Sequence, residues 1–446
     1  MKNRCIAMSV LGVFMASCCI AGEPALVDAD LSKPRTVNKV SGEPIKLIAG
    51  GKLAMPIAIA EKPEPVIAAA AEFLAGSIAE MTGNKPEMVK KEKVEGPAIY
   101  IGNLEATKAA GLSAEKMQPG EFAVKTKDGS IYLYGNDGGK STGSAYAALD
   151  FAERVLGVRQ YFETEKGGRT VIKAQELAIP QLDYGDLPVF CKRDLWPYSH
   201  KPHMMTWRIA DTHPVQIIVH APQAWNKEED YQKGRPEIFE LHKDGTRSTA
   251  SPMLCYSNPK TLETYLERIG EELAGGRKSG LMLGKAVTVS PWDKDVACYC
   301  PECRKLYDEK AGGSGSASKI MCAFVRKLSD ALAQKHPDLT IIYLPYLNYC
   351  DIPEGVEFPA KNVEVQLCSM PGLAMFKEAS VKKHEEDLIR GWVKVTGRPI
   401  QNWHYICWPA EYTSAPYVYG DAIIQHYKDT RDCTVGSFIN GEYPEV

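Results

Sequence analysis

The chain has 446 residues, 44% of them hydrophobic and 24% charged, and a formal net charge of -3 from 53 basic and 56 acidic side chains. That length calls for two or three domains, and the composition is that of a soluble globular protein. Balanced charge without long runs argues against a nucleic-acid or anionic-membrane partner.

Lys2 and Arg4 precede an apolar stretch, Cys5 to Ile20, that is too short and too early for a spanning helix. It predicts a signal peptide over residues 1–22, cleaved after Ala21. M-A-S-C at Met15 to Cys18 also resembles a bacterial lipoprotein box, which would make Cys18 a lipid anchor. The protein is therefore expected to be exported, as a periplasmic, extracellular or surface-anchored chain with no later transmembrane segment. Three of the 13 cysteines lie in the leader, and the remaining ten fall between Cys191 and Cys433.

Residues 23–44 are rich in Lys, Pro and Ser and read as a tether or an edge segment. Residues 45–185 predict a small α+β domain. Val66 to Met81 carries an apolar helical stripe ended by Gly83. Strands are expected at Ala98–Ile101, Glu121–Thr126 and Ser130–Tyr134, the last two joined by the turn Lys127-Asp128-Gly129. A second helix is expected over Thr142 to Leu156, with Ser141 as N-cap and Gly157 as stop.

From residue 188 to 446 the rhythm becomes strand, loop, helix. Strands are expected at Phe190–Trp196, Val215–His220, Met253–Tyr256, Val287–Ser290, Thr340–Tyr346, Val363–Leu367, Ile400–Tyr405 and Thr434–Ile439. Helices are expected from Asn258-Pro259 to Leu273, from Ala317 to Lys335 and from Lys377 to Val395. Eight strands with intervening helices predict an α/β fold, a TIM-like (β/α)₈ barrel, whose last helix is missing before Val446.

The most informative stretch is V-T-V-S-P-W-D-K-D-V-A-C-Y-C-P-E-C, Val287 to Cys303. Pro291 ends a strand and delivers Trp292 and Asp293 at its carboxyl end, where barrel enzymes keep their chemistry. Cleaving a glycosidic bond usually takes two carboxyl groups, one giving a proton and one attacking or activating water. Asp293 is the first candidate, as general acid, with Glu442 or Glu411 as the second carboxylate. Trp196, Trp225, Trp292 and Trp408 follow strands and would stack on sugar rings, although a lone tryptophan is more often a core residue. His220, Tyr405 and Asp194 complete the candidate substrate contacts, and a structural histidine explains His220 equally well.

Cys298, Cys300 and Cys303, with Cys255 from a neighbouring strand, have the donor set of a closed structural zinc site. Export favours disulfides among them instead. No dinucleotide fingerprint, phosphate loop or Ser-His-Asp pattern is present, so no catalytic cofactor is expected.

Three segments carry a family resemblance: P-E-I-F-E-L-H-K-D-G-T-R (Pro236 to Arg247), M-L-C-Y-S-N-P (Met253 to Pro259) and V-S-P-W-D…C-Y-C-P-E-C (Val289 to Cys303). They resemble a bacterial domain family of unknown function with a glycoside hydrolase-like barrel. Tyr132 to Phe151 and Leu156 to Phe162 are similar to the N-terminal domain of α-glucuronidases and β-hexosaminidases that often precedes it. The resemblance implies an exported two-domain protein acting on a polysaccharide or oligosaccharide. Asp293-Lys294-Asp295 stands where hexosaminidases place an adjacent Asp-Glu pair. A catalytically silent, carbohydrate-binding barrel is the alternative expectation, and a scaffold or adhesion protein a third.

Overall fold

A computed structural model describes residues 33–137, 143–161, 168–196, 217–222, 225–247, 249, 253–356, 362–372, 374–405 and 420–440. The predicted leader, its Cys18 anchor and the helix N-cap Ser141 lie outside the described residues.

The N-terminal unit centres on a mixed sheet of seven strands. In spatial order they are Thr36–Val37, Asp183–Asp186, Phe122–Lys127, Ser130–Gly135, Ile99–Ile101, Ile57–Ile59 and Met88–Lys90. Thr36–Val37 pairs antiparallel with Asp183–Asp186, so this part of the expected tether is an edge strand. The Asp128-Gly129 turn takes positive φ at both residues (50° and 77°), the geometry that two-residue hairpins need. Helix Pro65–Thr82 lays Ala70, Leu74, Ile78 and Met81 on one face of the sheet and ends at Gly83, whose φ of 80° lets its N–H reach the Ala79 carbonyl. This helix is long and apolar enough to cross a membrane by length and composition, but its apolar face is spent in this core. Helix Gly143–Asp150 packs beside it and continues into a π-helical turn, Phe151–Val155.

The C-terminal unit is a parallel arc. Its strand order is Lys192–Trp196, Thr434–Asn440, Ile400–His404, Val363–Leu367, Thr340–Tyr343 and Ala286–Val289, all parallel, with Met282–Leu283 antiparallel at the far edge. The first and last of these strands in the sequence are thus neighbours. Gly436 makes that pairing possible, because its φ is 149° and a Cβ there would overlap the Lys192 carbonyl oxygen. Helices Pro259–Leu273, Ser318–Lys335, Ala379–Thr396 and Gly420–Asp429 supply the surrounding layer. Asn258 caps the first of them by accepting the Lys260 N–H, with Pro259 at its first turn.

Six of the eight expected strands form, and among the described residues the barrel does not close. Residues 217–220 carry no ladder. Instead, the Ile218 and His220 N–H groups donate to the hydroxyls of Thr288 (3.0 Å) and Ser290 (3.2 Å), so side chains take the place of backbone pairing. Residues 253–256 make one isolated bridge, Phe239 to Leu254, and their apolar side chains fill the core without joining the sheet. The fold is therefore mixed α/β with a half-barrel sheet.

Candidate active site at the strand ends

Side chains alternate across each strand. Lys192, Glu364 and Gln401 converge low on one face of the arc, where Glu364 accepts from Lys192 Nζ (2.9 Å) and Gln401 Nε2 (2.8 Å). Burial alone would raise Glu364, but the charge and hydrogen bond of Lys192 override it and hold the carboxylate below its ordinary value. Asp194 follows Lys192 two residues on, on the same face, opposite Phe438 in the register. Trp196 ends that strand, and its ring lies outside the described atoms.

At the carboxyl ends the backbone repeats one pattern. Val289 and Tyr343 are register partners, and each is followed by a proline and an aromatic residue: Pro291-Trp292 and Pro345-Tyr346. Trp292 is exposed (36%), and Asp293 beside it is exposed as well. Tyr346 donates its phenol to Asp293 Oδ1 at 2.8 Å. Burial, then the hydrogen bond to Asp293, pushes the Tyr346 hydroxyl well above the ordinary phenol range, so it stays a donor. Tyr405, from the next strand but one, is raised chiefly by burial, with Asn440 and Asp293 among the groups that bear on its hydroxyl. Asp293, Tyr346, Cys368, Tyr405 and Asn440 therefore line adjacent strand ends. Tyr346, Cys368 and Asn440 were not among the sequence candidates; the repeated strand-proline-aromatic pattern is a signal that could have found Tyr346.

His220 braces this rim. Its Nδ1 donates to the Pro291 carbonyl (3.1 Å) and its ring lies 5.2 Å from that of Trp292, leaving Nε2 as an acceptor. Three of the four non-glycine residues with positive φ among the described residues, His220 (55°), Leu347 (46°) and Met370 (49°), sit at these strand ends. Such backbone strain concentrates at ligand sites.

Other expectations fare differently. Trp225 is fully buried, donates Nε1–H to the Ser279 carbonyl (2.8 Å) and packs on Tyr231 and Tyr265, so it is a core residue and not a sugar platform. His404 points into the layer between sheet and helices, with Nδ1 near the Tyr427 (3.0 Å) and Ser437 (3.2 Å) hydroxyls and Nε2 4.0 Å from Glu385. Glu411, Glu442 and Trp408 lie outside the described residues. Trp292 and Asp293 are both exposed, so the ring does not enclose the carboxylate among the described residues.

The loop following Asp293 runs into the four cysteines. Cys255, Cys298, Cys300 and Cys303 are all buried, and their sulfurs all lie within 4.8 Å of one another. Cys255 Sγ is 3.5 Å from Cys300 Sγ and 3.8 Å from Cys303 Sγ, and none of the nine described cysteines is in a disulfide. The expected disulfides are absent from the described residues, whereas the expected four-sulfur grouping is present.

Residues 166–428 match the family described as Domain of unknown function (DUF4838). The chain belongs to that family. Among solved structures, this family member is similar to the beta-N-acetylhexosaminidase from Bacteroides fragilis NCTC 9343, at 12% identity over 92% of this chain and 84% of that one, with a TM-score of 0.43. A GH138 enzyme targeting pectin rhamnogalacturonan II is similar at 13% identity over 86% of this chain and 46% of that one, with a TM-score of 0.33. Superpositions this loose establish no shared chemistry. No curated protein matches the sequence.

Proposed function

We propose that this DUF4838 chain is an exported glycoside hydrolase-like protein whose site is the arc of strand ends around Asp293. The observation that carries the reading is the Tyr346–Asp293 hydrogen bond beside the exposed Trp292 ring: a held carboxylate next to a stacking surface, at the end of a parallel sheet where such sites form. A carboxylate that already accepts a phenol proton is suited to attack a sugar carbon or to take a proton from water. Asp293 is therefore assigned the nucleophile or base role, in place of the acid role read from sequence. The acid would come from Glu442, two residues beyond strand Thr434–Asn440, or from Glu411. Trp292 stacks the sugar, His220 Nε2 and Tyr405 bind its hydroxyls, and the leader at residues 1–22 directs export.

The openness of Trp292 and Asp293 favours a second reading, a barrel that binds glycan without cleaving it, because an open platform binds well and excludes water poorly. One experiment separates the two. The purified protein and its Asp293→Asn variant are incubated with a panel of polysaccharides and aryl glycosides, uronic-acid types included. Sugar release that the variant loses supports the hydrolase. Gel retardation on one glycan by both proteins, with no release by either, supports binding alone. Neither release nor retardation overturns both readings.

A further inference from the structure

A zinc ion at 2.3 Å from four thiolates in a tetrahedron sets its sulfurs about 3.8 Å apart, whereas a disulfide requires about 2.05 Å. The observed separations of 3.5 and 3.8 Å, with every pair within 4.8 Å, match the tetrahedral edge and fall well outside bonding distance. The four come from two separate parts of the chain: Cys255 follows the Phe239–Leu254 bridge, and the other three follow Asp293 at C-x-C-x-x-C spacing. The sulfurs also act as acceptors. The Leu241 N–H donates to Cys298 Sγ at 3.2 Å, and the Cys303 N–H donates to Cys300 Sγ at 3.4 Å. Backbone N–H groups aimed at sulfur stabilise thiolates, the form that binds metal. Around them the site is closed: all four cysteines are at most 8% exposed, and Leu254 and Val296 pack in the same core.

We propose that Cys255, Cys298, Cys300 and Cys303 hold one structural zinc ion in a tetrathiolate site. Binding forms four Zn–S bonds and releases to solvent the protons still held by the thiols. With no position left open, the ion does no chemistry on substrate. It ties the loop that begins at Asp293 to residues 239–255, a link that the Tyr299 N–H to Leu241 carbonyl bond (2.8 Å) makes from the backbone side. The proposal stands apart from the glycosidase reading, since a binding protein or a scaffold would need the same staple.

The test is metal content, independent of activity. The full chain is purified without chelator, from both the cytoplasm and the periplasm of an expression host, and examined by elemental analysis and intact mass. About one zinc per chain is expected, with the fully reduced mass at the four cysteines. These thiols should stay unreactive to a thiol reagent until a strong chelator is added. Cobalt substitution should give the intense thiolate-to-metal bands of a tetrahedral sulfur site. Cys298→Ala should lose the zinc, whereas Cys322→Ala, in the same core but outside the cluster, should keep it. If Cys298→Ala does not fold, the wild-type stoichiometry decides. Metal-free folded protein with reactive thiols, iron in place of zinc, or a mass lowered by disulfides among these four cysteines would each overturn the proposal.

Discussion

Tyr346 and Asp293 lie just beyond the carboxyl ends of two neighbouring parallel strands, and the phenol of one is hydrogen-bonded to the carboxylate of the other at 2.8 Å. The bond fixes the carboxylate's orientation although the side chain is exposed. Removing the donor should therefore cost turnover without costing the fold. On whichever glycoside the panel identifies, Asp293→Asn should lower kcat/KM by about 10²- to 10⁴-fold, and Tyr346→Phe by about tenfold or more, as expected for one hydrogen bond to a charged group. A Tyr346→Phe variant with unchanged kcat/KM would show that the bond has no part in positioning.

Two tryptophans that look alike in the sequence should behave in opposite ways. Trp292→Ala removes an exposed ring, so glycan affinity should fall while the urea midpoint stays within error. Trp225→Ala empties a buried, hydrogen-bonded site and should destabilise by about 3–5 kcal/mol. Parallel denaturation and glycan-retardation measurements on both variants check the pair; loss of stability in Trp292→Ala would place that ring in the core instead.

Glu385 is buried between helix Ala379–Thr396 and the sheet, with Ser369 as hydrogen-bond donor. Burial raises it from the ordinary 4.5 to about 7, only partly offset by the Ser369 bond. The native state thus keeps a proton that the unfolded chain loses between pH 4.5 and 7, so stability falls as pH rises through that window. Glu385→Gln should remove the penalty and raise stability at pH 8 by on the order of 3 kcal/mol, with no difference near pH 4.5. His404 and His426, lowered by burial to about 3 and about 4, act in the opposite direction: stability is lost as pH drops below 6.5, where the unfolded chain binds protons that the native state refuses. Urea midpoints between pH 4.5 and 8 test both slopes; a Glu385→Gln gain that is equal at both ends would exclude the titration.

Gly436→Ala should be far more damaging than an ordinary surface change. The added Cβ meets the Lys192 carbonyl oxygen, and the φ of 149° is strained for alanine. Loss of the cooperative thermal transition, or a drop of several degrees in Tm, is expected; a Tm within a degree of wild type would mean that the strands do not approach so closely.

Elements with local signals were legible in the sequence. Asn258-Pro259 announces a helix start, Gly83 a stop, and the runs at 363–367 and 434–440 alternate as strands do. The position of Asp293 just past a strand end was legible for the same reason, two residues beyond a proline that ends the strand. What failed depended on distant partners. Nothing near residues 253–256 says that they pack without pairing, and nothing near Thr36 says that it meets Gly185. A tryptophan just past a strand reads the same whether it faces a sugar, as proposed for Trp292, or Tyr231 and Tyr265, as Trp225 does. Tyr346 was overlooked because its importance lies in the carboxylate across the strand gap.

The adjacency of strands Lys192–Trp196 and Thr434–Asn440 also dictates an order of events during synthesis. The N-terminal unit can fold as soon as Asp186 has emerged, since its partners have been made by then. The strand at 192–196 must wait for more than two hundred further residues before its neighbour exists, with its amides unpaired on that side. Such long-range parallel pairing is slow and invites association with other chains. The protein is therefore most vulnerable until a ribosome has read through Asn440.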